Sequence, residues 1–159
     1  MAFLASNTGE VTDFIRETMT TIKIILIINT LWFLGGFFLF GLQPKKCMKL
    51  FRPDLDLDKK ENQLPLKIIP FVGGFNVAFV VLNVTGLSII LNNPVDEIST
   101  LVLISSGMAH FTQFFYNVPI AMKKSISQGA VWNVLKGQML FIFIVDFSLS
   151  IINFLGLVI

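Results

Sequence analysis

The chain has 159 residues, of which 54% are hydrophobic, 14% are charged and 17 are Phe, with a formal net charge of +2. Soluble globular domains carry charge on about a quarter of their residues, so this composition excludes that class and indicates a polytopic membrane protein. We therefore expect the lipid bilayer among its partners, and no nucleic acid.

Four apolar runs follow one another along the chain, and each reaches or exceeds the roughly 20 residues that a helix needs to cross about 30 Å of hydrocarbon. They cover residues 22–42, 66–91, 98–120 and 130–159. The sequence therefore predicts an all-α membrane protein whose single domain, residues 1–159, is a bundle of four transmembrane helices.

A helical pattern also precedes the first run. Asn7 stands three positions before Glu10, which resembles a capping box, and Val11, Phe14 and Ile15 fall on one side of a helix. We expect a short interfacial helix over residues 7–21 that leads into the first span.

Positive charges are concentrated in two of the three loops. Because Lys and Arg resist translocation, the first and third loops should share the cytosol-equivalent side, with both termini opposite. The acidic middle loop, residues 92–97, agrees with this orientation. The positive-side residues either mark orientation only or also contact anionic lipid head groups, and they are Lys45, Lys46, Lys49, Arg52, Lys123 and Lys124.

Polar residues recur at helical spacing inside the apolar runs, where they are expected to face other helices. Trp32, Asn76 and His110 each lie ten residues from the positive side, or roughly 15 Å, and Asp146 lies at a similar depth. The sequence predicts a polar layer in the middle of the membrane formed by Asp146, His110, Asn76, Asn83, Gln113, Asn29 and Trp32.

Asp146 raises the functional question, because a carboxylate at the centre of a bilayer costs about 3 kcal/mol on insertion scales and is usually paired. One hypothesis pairs it with His110 as a proton relay or an anchor for a ligand. The other is that Asp146 holds helices together with His110, Asn76 and Asn83, at about 1 kcal/mol for each contact.

No cofactor is predicted from the sequence, and no metal site. His110 is the only histidine, which excludes a haem held by two histidines of one chain. The alternative that stays open is that His110 acts as the single axial ligand of a chlorophyll-like ring.

The sequence contains none of the common enzyme signatures, such as a GxSxG nucleophile motif, a zincin helix or a phosphate-binding loop. A membrane enzyme acting on lipid would need His110 and Asp146 exposed in a cleft that opens sideways. We therefore expect a non-catalytic scaffold or accessory subunit of a larger membrane complex. The alternative is a small transporter or ligand-binding protein that uses Asp146 and His110.

Two motifs and the polar loop between the first two spans resemble the small four-span scaffold family of ergosterol biosynthesis. The motifs are Asn-Thr-Leu at residues 29–31 and Ala-His-Phe at residues 109–111. The resemblance implies a protein that tethers membrane enzymes without catalysis, and it carries over only His110 and Phe111. The chain departs from the family pattern at Gln113, where that family has an acidic residue.

Overall fold

A computed structural model describes the backbone of residues 2–92, 97–123 and 130–158, and the side chains within these ranges from residue 11 onward. All regular structure in these ranges is helical. Four of the described helical segments are long and apolar enough to cross a membrane, namely Val11–Leu42, Lys60–Asn92, Glu97–Met122 and Gly137–Leu155. This confirms the predicted all-α membrane protein with four spans.

The helices follow the apolar runs. In chain order they are α1 (Ala2–Gly36), a π-helical turn (Phe37–Leu42), α2 (Pro44–Phe51), a 3-10 turn (Lys60–Asn62), α3 (Gln63–Asn92), α4 (Glu97–Met122) and α5 (Gly137–Leu155). Pro44 begins α2, where its missing N–H has no helical partner to lose.

The N-terminal segment differs from the expected separate interfacial helix, because α1 continues unbroken from Ala2 to Gly36. No Gly or Pro interrupts residues 11–34, so nothing in the sequence ends the helix before the membrane.

The fourth helix is shorter than the predicted run of residues 130–159. Lys136 is extended, and Gly137 has a φ of 56°, a left-handed conformation that glycine adopts readily. The apolar residues just before it do not span the membrane, since Ala130 and Val134 are buried and Trp132 packs against Phe51. Their hydrophobicity reflects packing at the end of the bundle.

The four spanning helices associate as two pairs, α1 with α3 and α4 with α5, which meet mainly through α3 and α4. Glycines mark the closest approaches, as expected for helices that associate in lipid. A Cβ atom on Gly73 of α3 would overlap the backbone of Gly41 in the π-helical turn, and one on Gly36 would overlap the Asn76 side chain.

The two ends of the bundle are built differently. Near the chain termini, an apolar cluster contains Ile22, Ile25, Leu26, Ile90, Val102 and Leu103. At the other end, the Phe51 ring of α2 contacts Trp132, with centroids 5.2 Å apart, and the Trp132 indole donates to Asn117 at 3.1 Å. The first and third loops therefore lie at the same end, while the side of the membrane that they face stays a prediction.

The predicted positive-side residues that the structure describes lie at this second end. Lys45, Lys46, Lys49 and Lys123 are exposed, and Lys124 lies outside the described residues, as do residues 93–96 of the middle loop. Arg52 forms an ion pair with Asp54 at 2.8 Å, and its hydrogen bonds lower the pKa of Asp54 to about 2. Arg52 is therefore engaged by a neighbouring side chain, and Lys49 Nζ donates to the backbone carbonyls of Pro53 and Leu55 at 3.1 and 2.6 Å. Contact between the exposed lysines and lipid head groups stays a prediction.

Cys47, the single cysteine, lies on the buried face of α2, and this burial raises the pKa of its thiol to about 12. Because the thiolate is the reactive form, we predict that a maleimide dye at neutral pH labels Cys47 only as fast as the protein unfolds. Labelling of detergent-solubilised protein should be complete in denaturant and negligible without it, with Cys47→Ala as the background. Fast labelling of the folded protein would contradict this burial.

The contact between Gly73 and Gly41 should be intolerant of added volume. We predict that Gly73→Ala destabilises the bundle by about 1–3 kcal/mol, because a methyl group forces α3 away from the π-helical turn. Gly74→Ala is the matched control, since nothing lies within 4 Å of a Cβ atom there. Thermal unfolding followed by Cys47 labelling compares the two variants, and an equal midpoint for both would contradict the close approach.

Candidate functional site

Asp146 joins three helices through one carboxylate oxygen. Its Oδ1 accepts hydrogen bonds from the Trp32 indole of α1 at 3.0 Å and from His110 Nδ1 of α4 at 3.1 Å. The Asp146 side chain is only 1% exposed. The structure thus brings together three residues that the sequence placed at one depth, and with Asp146 ionised the proton of a neutral His110 lies on Nδ1.

The His110 ring is held by aromatic stacking as well as by Asp146. Phe33 lies between His110 and Phe79, with centroids 4.7 Å apart and planes tilted by 18° on both sides. His110 is fully buried, and its Nε2 has no hydrogen-bond partner within the described part of the chain. A chlorophyll-like ligand at this nitrogen stays a prediction, and it would require neighbouring side chains to move aside.

Two further polar pairs lie closer to the chain termini. Asn29 and Asn153 exchange hydrogen bonds of 2.7 and 3.0 Å between α1 and α5, and both are fully buried. Asn83 donates to Ser106 at 3.0 Å between α3 and α4. The predicted single layer implied that Asn29 and Asn83 contact Asp146. Asn29 pairs with Asn153 instead, and Asn83 pairs with Ser106.

Asn76 and Gln113 occupy a third position, beside the Asp146 pair but not in contact with it. The Asn76 amide donates to the Val72 carbonyl of its own helix at 2.9 Å. Gln113 is exposed. It follows His110 by three residues, so its side chain points about 60° away from that of His110 around the helix axis. Gln113 was predicted on the inward stripe, and the structure places it on the flank instead.

These two amides line a cleft of about 190 Å³ whose walls come mainly from α1, the π-helical turn and α5. Trp32 forms part of its wall, and its ring meets Phe141 edge-on with centroids 5.8 Å apart. Gln138, at the start of α5, adds a third amide. The cleft thus lies next to the Asp146 pair, with the Trp32 side chain between them.

No family model, curated protein or solved structure matches the chain. The residues of the site therefore define what it can do. Asp146 and His110 are buried and hydrogen-bonded to each other, an arrangement that stabilises contacts between helices. The amides of the cleft can donate and accept hydrogen bonds, but they do not exchange protons near neutral pH.

The Asn29–Asn153 pair should show strong coupling. We predict that Asn29→Leu or Asn153→Leu alone costs about 1–3 kcal/mol, because the remaining buried amide loses its partner on the other helix. The double Leu variant should cost less than the sum of the two, since no amide is left unpaired. Thermal unfolding of the four proteins in one detergent measures this cycle, and strictly additive effects would contradict the pair.

Proposed function

We propose that the chain is a non-catalytic integral membrane scaffold or accessory subunit that packs against other membrane proteins in a larger complex. The proposal rests on the burial of Asp146, the central polar residue, and on its hydrogen bonds to other helices. Asp146 is 1% exposed and accepts two hydrogen bonds from two other helices. This is the arrangement expected of a residue that fixes the shape of a bundle.

The alternative functions require a more open site. A transporter that protonates Asp146 needs water to reach the carboxylate, and a lipid enzyme needs Asp146 and His110 open to the bilayer. Both side chains are buried, and the Trp32 indole stands between Asp146 and the cleft. The geometry therefore favours the structural role.

The outer surface supplies the area that such a subunit would use. Each of three helices exposes a large aromatic side chain, at Phe75 of α3, Phe115 of α4 and Phe147 of α5. Large aromatic side chains commonly dominate the energy of protein contacts, and lipid also accommodates them. The resemblance to a family of membrane scaffolds supports the same proposal. We further propose that the complex is an energy-transducing or lipid-metabolising one.

Two substitutions of Asp146 separate a helix-joining role from proton transfer. Asn keeps an oxygen that can accept from Trp32 and His110, whereas Leu keeps only volume. We predict that the tagged protein, purified from its native membrane in gentle detergent, retains one stoichiometric complex as wild type and as Asp146→Asn. Asp146→Leu should lose most of it.

A wild-type protein that purifies alone would contradict the subunit proposal. Loss of transport or of a proton-coupled activity in Asp146→Asn, with the fold retained, would instead favour the transporter.

The contact surface can be mapped in the same membrane. A photoreactive phenylalanine analogue would replace Phe75, Phe115 or Phe147, each on a different helix, and buried Phe33 would serve as the control position. At least one outward position should give a single protein adduct of defined mass, while Phe33 gives none. Adducts with lipid alone from all three outward positions would contradict the proposal.

A further inference from the structure

Gln113 is an exposed amide at an unusual depth. It lies nine residues before the end of α4, or roughly 14 Å along the helix, and within a span. Its side chain makes no hydrogen bond within the part of the chain that the structure describes. An amide left unpaired in hydrocarbon costs several kcal/mol, so another molecule is expected to satisfy it.

The cleft beside Gln113 opens towards the lipid. Its rim includes Leu31 of α1, 63% exposed, and Phe141 of α5, 59% exposed. Both residues lie within spans, so their exposed surfaces face hydrocarbon. An occupant of the cleft would therefore enter sideways from the bilayer and carry an apolar chain that stays in it.

The lining selects an uncharged polar group. Its available hydrogen-bonding side chains are the amides of Asn76, Gln113 and Gln138, and no Lys, Arg, Asp or Glu takes part. The Trp32 N–H is donated to Asp146, so Trp32 contributes only its ring. A phosphate at this depth would have no counter-charge, whereas hydroxyl and ester oxygens match groups that both donate and accept. A volume of about 190 Å³ corresponds to roughly six water molecules, enough for a three-carbon head group.

We propose that this cleft binds the head group of a neutral glycerolipid, with its acyl chain leaving between Leu31 and Phe141. Asn76 and Gln113 bind the hydroxyl and ester oxygens, and the Trp32 ring packs against the glycerol carbons. This activity goes beyond the scaffold role, because a subunit can pack against partners with or without a lipid in this cleft.

Trp32 allows a direct test with purified protein. A Trp132→Phe variant makes Trp32 the only tryptophan, and Cys47 labelling confirms that it remains folded. It is reconstituted in phosphatidylcholine vesicles and titrated with a monoacylglycerol brominated in its acyl chain, whose bromine atoms quench nearby indole fluorescence. Phosphatidylcholine brominated at the same chain positions is the matched lipid.

Quenching by the monoacylglycerol should saturate at low mole fraction and exceed that of the phosphatidylcholine at least twofold. The excess should be lost in a double variant, Asn76→Leu with Gln113→Leu, and kept in Thr112→Leu, which changes an exposed neighbour outside the cleft. Equal quenching by the two lipids, or an excess that survives the double variant while Cys47 stays protected, would overturn the proposal.

Unchanged Trp32 emission throughout the titration would also overturn it and would indicate a cleft that holds water. The measurement needs no protein partner, so its outcome is independent of whether the chain belongs to a complex.

Discussion

The bundle depends on one carboxylate oxygen. Asp146 Oδ1 is shared by an indole N–H from α1 and an imidazole nitrogen from α4, so a single atom sets the rotation of three helices. Hydrocarbon supplies no competing hydrogen-bond partners, and each of these groups would otherwise be buried unpaired. The fourth spanning helix, α3, is joined through the rings, because Phe79 stacks on Phe33, which stacks on His110.

The cleft follows from two contacts of α1, one at Trp32 and the other at the π-helical turn. At the level of Trp32, the hydrogen bond to Asp146 ties α1 to α5. Further along α1, the π-helical turn brings Gly41 against Gly73, which draws the end of the helix towards α3. Since α5 makes no contact with α3 in the described ranges, the space beside α1 and α5 is left as a cleft lined by amides.

The sequence predicted the class of fold and much of the central layer, because both depend on properties that single residues carry. Hydropathy and length located four spans, and distance from the positive loops placed Trp32, His110 and Asp146 together. Depth alone could not assign partners among several asparagines, so the pairing of Asn29 with Asn153 was missed. Hydropathy also could not distinguish residues 130–136, which pack on the end of the bundle, from a membrane-spanning turn.

Trp32 links the Asp146 hydrogen bonds to the cleft. Its N–H is committed to Asp146, while its ring forms a wall of the cleft and meets Phe141. A head group in the cleft would therefore pack against the residue that fixes α1 to α5, and would satisfy Gln113 without disturbing a buried hydrogen bond. Because those bonds already fix the helices, exchange of the proposed lipid would leave the shape of the bundle unchanged.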